Sequence, residues 1–182
     1  MGTVTTLPRS RPFTRRDLDR MPDDGRRYEI VDGSLVVSPS PSRRHQRVSA
    51  RLHALLADAA PQHLVALFAP IDVVLAEDTV FQPDLLVART AEFDKPSHPV
   101  RPVLVVEILS PSTRRIDVSL KRDRFEAAGC PSYWAVDPDA PSLTAWDLHG
   151  GRYVEVARVE GEEEFTAVQP YPVVVTPARL LD

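Results

Sequence analysis

Three charged residues stand where a charge is hard to explain: Asp84 directly after Pro83, Glu107 inside an apolar run, and Lys121 on the helix that follows. They lie about 20 and then 14 residues apart. Two carboxylates and one ammonium are the groups that metal-dependent hydrolysis of a phosphodiester requires. Mg²⁺ or Mn²⁺ held by one or two carboxylates neutralises charge on the phosphoryl oxygens and activates a water. A nearby ammonium orients that water or offsets the charge that develops.

Each position also has a plainer reading. The run from Val103 to Leu109 predicts a strand buried on both faces, bracketed by Pro102 and Pro111. Glu107 in such a strand is costly to bury unless it is paired or holds a metal. The alternative is a strand end that faces solvent. The run from Phe81 to Val87 predicts a second apolar strand, with Pro83 at its start and Asp84 aimed by the extended chain, or else only a boundary turn.

Lys121 carries a compositional argument. The chain has 22 basic residues, of which 20 are arginine, and the other lysine is Lys95. A lysine kept among arginines suggests work for a compact ammonium. The segment from Thr113 to Ala128 reads as one helix closed by Gly129 and Pro131, with Val118, Lys121, Phe125 and Ala128 on one face. The plain alternative is an i,i+4 pair with Asp117. The backbone carbonyl of Ile108 could add a metal ligand. No zinc site competes, since Cys130 is the only cysteine and the five histidines lack ligand spacing.

The elements that must position these groups follow from pattern. A short helix near Phe13–Leu18 has Thr14 as a candidate cap. Tyr28–Val31 and Ser34–Ser38 predict a hairpin around Asp32-Gly33. Residues 42–60 predict the longest helix, with Val48, Leu52, Leu55, Leu56 and Ala59 as its apolar stripe. Strands are expected at 65–68 and 71–75, and after the Lys121 helix near 132–136, 142–147, 152–158 and 164–168, with a short closing helix at 176–181. Residues 90–101 read as a polar loop that borders the site, a connection or a lid. Tyr133 and Trp134 suit a core better than base stacking. His45 either helps to bind phosphate or only caps and packs its helix.

Six blocks occur in order: Tyr28-Glu29-Ile30-Val31-Asp32-Gly33, Ser38 to His45, Gln82-Pro83-Asp84, Val106 to Thr113, Asp117 to Lys121, and Tyr133 to Pro138. Together they resemble the Uma2 family, a restriction-endonuclease-like family within the PD-(D/E)XK nuclease superfamily, over roughly residues 12–182. The resemblance implies an α/β (α+β) fold, a mixed β-sheet core flanked by helices. It implies catalytic roles for Asp84, Glu107 and Lys121, with Mg²⁺ or Mn²⁺ held by Asp84 and Glu107 and the Ile108 carbonyl available beside them, and it makes Glu29 an additional catalytic acid that holds a second metal or else only caps the sheet edge. Where the superfamily pattern places its lysine, two residues after the glutamate, this chain has Leu109, so the role passes to Lys121 on the next helix. The implied activity is a metal-dependent endonuclease acting on DNA. The alternative is a non-catalytic nucleic-acid-binding or assembly module that keeps the fold.

At 182 residues and 43% hydrophobic content, the chain suits one domain over 13–182 behind a flexible segment at 1–12. There is no transmembrane run, no signal peptide and no disulfide framework, which suggests a cytoplasmic protein that engages no membrane. Net charge is −4 but uneven. Residues 1–27 carry seven Arg against four Asp, and residues 101–124 six basic groups against three acidic. Residues 137–182 carry nine acidic against three basic. The two basic stretches could face a phosphate backbone or be solvated surface. A homodimer is plausible by analogy with related nucleases.

Overall fold

A computed structural model of the chain describes residues 5–7, 11–93 and 99–182. It opens with β1 (Thr5–Leu7), a strand where a loose start was expected, and a one-turn helix α1 (Arg15–Leu18). β2 (Arg27–Val31) and β3 (Ser34–Ser38) form the expected hairpin. Its turn has positive φ at Asp32 (48°) and Gly33 (75°), as a type I′ Asp-Gly turn requires. A Cβ at Gly33 would stand 2.6 Å from that of Pro12, so a side chain has no room there.

Helix α2 (Arg43–Ala59) begins at Ser42, whose hydroxyl accepts the His45 N–H at 3.2 Å. Then come β4 (Leu64–Phe68), β5 (Val73–Ala76), β6 (Thr79–Phe81), β7 (Leu85–Arg89), α3 (Thr90–Phe93) and β8 (Leu104–Ile108). The single strand expected from Phe81 is two strands in different sheets. Pro83 lacks a ladder donor, and at Gln82-Pro83-Asp84 the chain leaves one sheet for the other. The polar connection starts as α3, and its middle (94–98, with Lys95 and His98) lies outside the described residues.

The expected 113–128 helix is also two elements: a π-helical turn at Ile116–Lys121, then α4 (Arg122–Ala127). β9 (Ser132–Asp137), β10 (Ser142–His149), β11 (Arg152–Glu160), β12 (Phe165–Ala167) and β13 (Val173–Val175) follow, with a closing 3₁₀ turn at Ala178–Leu180.

The main sheet runs β11-β10-β9-β8-β7-β4 and is mixed as expected: β8 and β9 are parallel, the other neighbours antiparallel. A parallel pair needs a crossover, and the crossover here carries the π turn and α4. A second, antiparallel sheet, β1-β3-β2-β6-β5, was not foreseen. One face of the main sheet packs Leu104, Val106 and Trp134 against Val48, Leu52 and Leu56 of α2. The other packs Val105 and Tyr133 against Phe125 of α4 and Phe81 of the second sheet. Tyr133 and Trp134 are 0% exposed, core residues and not stacking platforms. Side chains alternate along a strand, so Glu107 shares the face of Val105 and looks toward the crossover. Among the described residues no helix is long and apolar enough to cross a membrane.

Candidate active site

The β7–β8 ladder brings the two expected carboxylates together. Leu85 pairs with Val106, Leu86 with Val105 and Val87 with Leu104. The same register carried one residue outward sets Asp84 opposite Glu107. Opposed residues of an antiparallel pair share a face, with Cβ atoms about 4.5–5.5 Å apart. The Ile108 N–H donates to Asp84 Oδ2 at 2.8 Å and locks the end of the ladder. A strand residue's N–H and C=O project to the same side, so the Ile108 carbonyl also faces Asp84.

Two side chains hold Asp84. Arg27 Nη2, at the start of β2, donates to Oδ1 at 2.7 Å. His45 Nε2, one turn into α2, lies 3.0 Å from Oδ2. Of the two readings of His45, capping belongs to Ser42, while the imidazole turns into the site. Its Nδ1 is buried and has no hydrogen-bond partner among the described residues.

Lys121 sits inside a cage of acids. Its Nζ lies 2.8 Å from Glu29, 3.1 Å from Glu107 and 3.4 Å from Asp117. Glu29, from β2, also accepts the Gln82 N–H at 2.8 Å and so ties the sheet-to-sheet crossing to the cluster. The i,i+4 pair with Asp117 therefore exists beside the longer-range contacts, not instead of them. The π turn buries Asp117 and Lys121 together, and the Tyr133 hydroxyl donates to the Asp117 carbonyl at 2.7 Å. Such wide turns tend to mark functional sites.

Four buried carboxylates, Glu29, Asp84, Glu107 and Asp117, thus meet two permanent cations, Arg27 and Lys121. These four carboxyl groups and two cations alone give a formal excess of two negative charges when every carboxyl is ionised. Burial works against the charged form of Asp84, but His45, Arg27 and the Ile108 N–H outweigh it and hold its pKa below the ordinary value. Glu107 goes the other way: burial raises it well above the usual range, Lys121 opposes, and the neighbouring acids add to the rise. Asp117 is raised for the same reasons. Burial disfavours the Lys121 ammonium, yet Glu107, Glu29 and Asp117 keep it charged well past its ordinary pKa.

The cluster opens into a cavity of about 250 Å³ whose walls include Ser40, His45, Asp84, Glu107, Ser110 and Lys121. All the expected site residues, Asp84, Glu107, Lys121, Glu29 and Ile108, line it. Sequence reasoning missed Arg27 and gave Asp117 only a surface pairing. Arg27 was hidden among the seven arginines of the N-terminal stretch, although it directly precedes the Tyr28-Glu29 block. Asp117 could not be read as buried while its segment was taken as a regular α-helix.

Residues 15–178 match the Uma2 family, whose description is "Putative restriction endonuclease". A solved structure from Anabaena variabilis, titled as "a putative nuclease belonging to DUF820", covers 93% of this chain and 98% of its own, with a TM-score of 0.66 and 17% identity. At that identity the likeness speaks for the fold, which is restriction-endonuclease-like. No curated protein matches the chain.

Proposed function

The chain belongs to the Uma2 family, and from that premise we propose a metal-dependent endonuclease that hydrolyses phosphodiester bonds in DNA. The observation that carries this reading is the facing of Asp84 and Glu107 in a pocket shared with Lys121.

The donor set suits a hard divalent cation. Among the described residues, no group of three or more His, Cys, Asp or Glu side chains is arranged to hold a metal ion by itself. Mg²⁺ does not need one: it takes one or two carboxylates and keeps waters and substrate oxygens for the rest. Asp84, Glu107 and the Ile108 carbonyl would hold it, and the excess of carboxyl groups over cations in the cluster favours a cation there. When bound, Mg²⁺ or Mn²⁺ supplies charge neutralisation and an activated water.

The chain's own residues do the positioning. Arg27 and the Ile108 N–H fix both oxygens of Asp84. Glu29 and Asp117 pin the ammonium of Lys121 beside Glu107, and its field favours negative charge at that point of the pocket. The apolar floor formed by the β8 run excludes bulk water from beneath the site.

Mn²⁺ titration by calorimetry, wild type beside a folded Asp84→Asn variant, tests the reading without a guess about DNA sequence. Saturable binding that vanishes in the variant, together with Mn²⁺-dependent cleavage of plasmid DNA by the wild type alone, is the expected result. Absence of both binding and cleavage would favour a non-catalytic binding module instead.

A further inference from the structure

Part of the positive charge in the basic stretches singled out by composition is neutralised within the fold. Arg11 pairs with Asp17, Arg26 with Asp24, Arg27 with Asp84, Arg114 with Asp137, Arg122 with Asp123 and Arg124 with Asp32. Exposed arginines without an ion pair to a described residue include Arg15, Arg16, Arg20, Arg101 and Arg115, but on α2 three stand together beside the pocket-lining Ser42 and His45. Arg43, Arg44 and Arg47 are exposed, and none of them forms an ion pair with a described residue. Arg47 donates only to the Leu181 carbonyl, at 3.0 Å.

Their placement is electrostatically unfavourable for the helix itself. The first turn of α2 holds no acidic residue, and cations there oppose the positive end of the helix dipole. Arg43 and Arg44 stand in that first turn without an ion pair, and Arg47, one turn on, has only its bond to Leu181, so helix stability alone does not explain the cluster. Their neighbours in the same turns supply a reason: Ser42 and His45 line the reaction pocket. Arg43, Arg44 and Arg47, with Leu181, line an adjoining shallow cavity of about 350 Å³. From Arg43 to Arg47 the helix rises about 6 Å, against about 3.4 Å of axial rise per phosphate on each strand of a duplex.

We propose that Arg43, Arg44 and Arg47 form the track along which the phosphate backbone of duplex DNA approaches the pocket. This rests on the nuclease reading above. The three guanidiniums grip phosphates and carry no base recognition, so they set affinity and register but not sequence preference.

The test is equilibrium binding of a fluorescent duplex in EDTA, which prevents cleavage, over a range of salt concentrations. The Arg43→Gln, Arg44→Gln, Arg47→Gln triple variant should bind more weakly. Its log–log salt slope should fall by about 0.9 for each phosphate that is no longer neutralised, up to about 2.7 in all. The corresponding triple lysine variant should keep most of the wild-type slope, which a packing role for the arginines would not produce. Wild-type affinity and slope in the glutamine variant would overturn the track and leave the nuclease reading intact. No duplex binding by the wild type would overturn both. Preference of the wild type for single-stranded RNA, lost in the glutamine variant, would overturn the assignment to DNA.

Discussion

Asp84 and Glu107 face each other across the end of the β7–β8 ladder, and their surroundings drive the two carboxyl groups in opposite directions. Burial opposes charge on both, but Asp84 has His45, Arg27 and a backbone N–H to offset it, whereas Glu107 has Lys121 and three acidic neighbours. Asp84 is therefore ionised across the working pH range, while Glu107 retains a proton above its ordinary pKa. A cation taken up by the pair must displace that proton. Mn²⁺ binding is expected to tighten as pH rises and to release protons, most at the acidic end. Calorimetry in buffers of different ionisation enthalpy measures the release. Glu107→Gln should abolish it, and equal release from wild type and variant would place the proton elsewhere.

Lys121 is the counter-ion for three buried acids, so its removal should cost more than an ordinary surface pair. Lys121→Met leaves Glu29, Glu107 and Asp117 without their shared cation, a loss on the order of 3–5 kcal/mol for a broken buried pair. The sign of the pH dependence follows from the raised acids. A carboxyl whose folded pKa lies above its unfolded value stabilises below the unfolded value and loses that contribution as pH rises toward the folded one. The variant should therefore be closest to wild type near pH 4 and furthest from it at neutral pH and above. Denaturant titrations across that range check it, and a pH-independent difference would mean that the ammonium serves mainly as packing.

Much of this was legible in sequence because the signals were local. Asp-Gly between two alternating runs gave the β2–β3 hairpin, Ser42 before an apolar 3.6-residue stripe gave α2, and the apolar run around Glu107 gave β8. What failed depended on partners distant in the chain. The run at Phe81–Val87 reads as one strand until the second sheet claims Phe81 and the main sheet claims Leu85. The π turn is stabilised by a hydroxyl from β9, 16 residues further on, which no helical periodicity reveals. Arg27 and His45 meet at Asp84 from two different elements, 57 and 39 residues away, so nothing local in the sequence pairs either with that carboxylate.

Cys130 is the chain's only cysteine, and burial pushes its thiol up to about 12. Its Sγ also donates to the Ser132 carbonyl at 3.4 Å. A thiol that stays neutral and covered cannot act as a nucleophile in the native state. A colourless thiol-reactive disulfide reagent at pH 8 should release its chromophore only as fast as the protein opens, and at once after unfolding. Because the unfolded thiol ionises first, stability should also fall as pH rises above about 8.5, and Cys130→Ala should flatten that alkaline loss. Rapid labelling of the native protein would show that the site opens without unfolding.

Tyr133 ties the geometry of the candidate site to the core. Its ring lies among Phe125, Trp146 and Tyr153, and its hydroxyl satisfies the Asp117 carbonyl that the widened turn leaves available. Tyr133→Phe keeps the ring and removes only that bond. A buried carbonyl left without a partner costs about 1–3 kcal/mol. The segment Ile116–Lys121 can recover the bond by tightening toward α-helical spacing, which would turn Lys121 away from Glu29 and Glu107. The variant should lose roughly that much stability by denaturant titration. Its amides from 116 to 122 should show altered hydrogen exchange while those of β8 and β9 stay protected, and Mn²⁺-dependent cleavage should fall further than global stability explains. If exchange across the turn is unchanged, the hydroxyl adds stability alone and the π turn is held by the acids around Lys121.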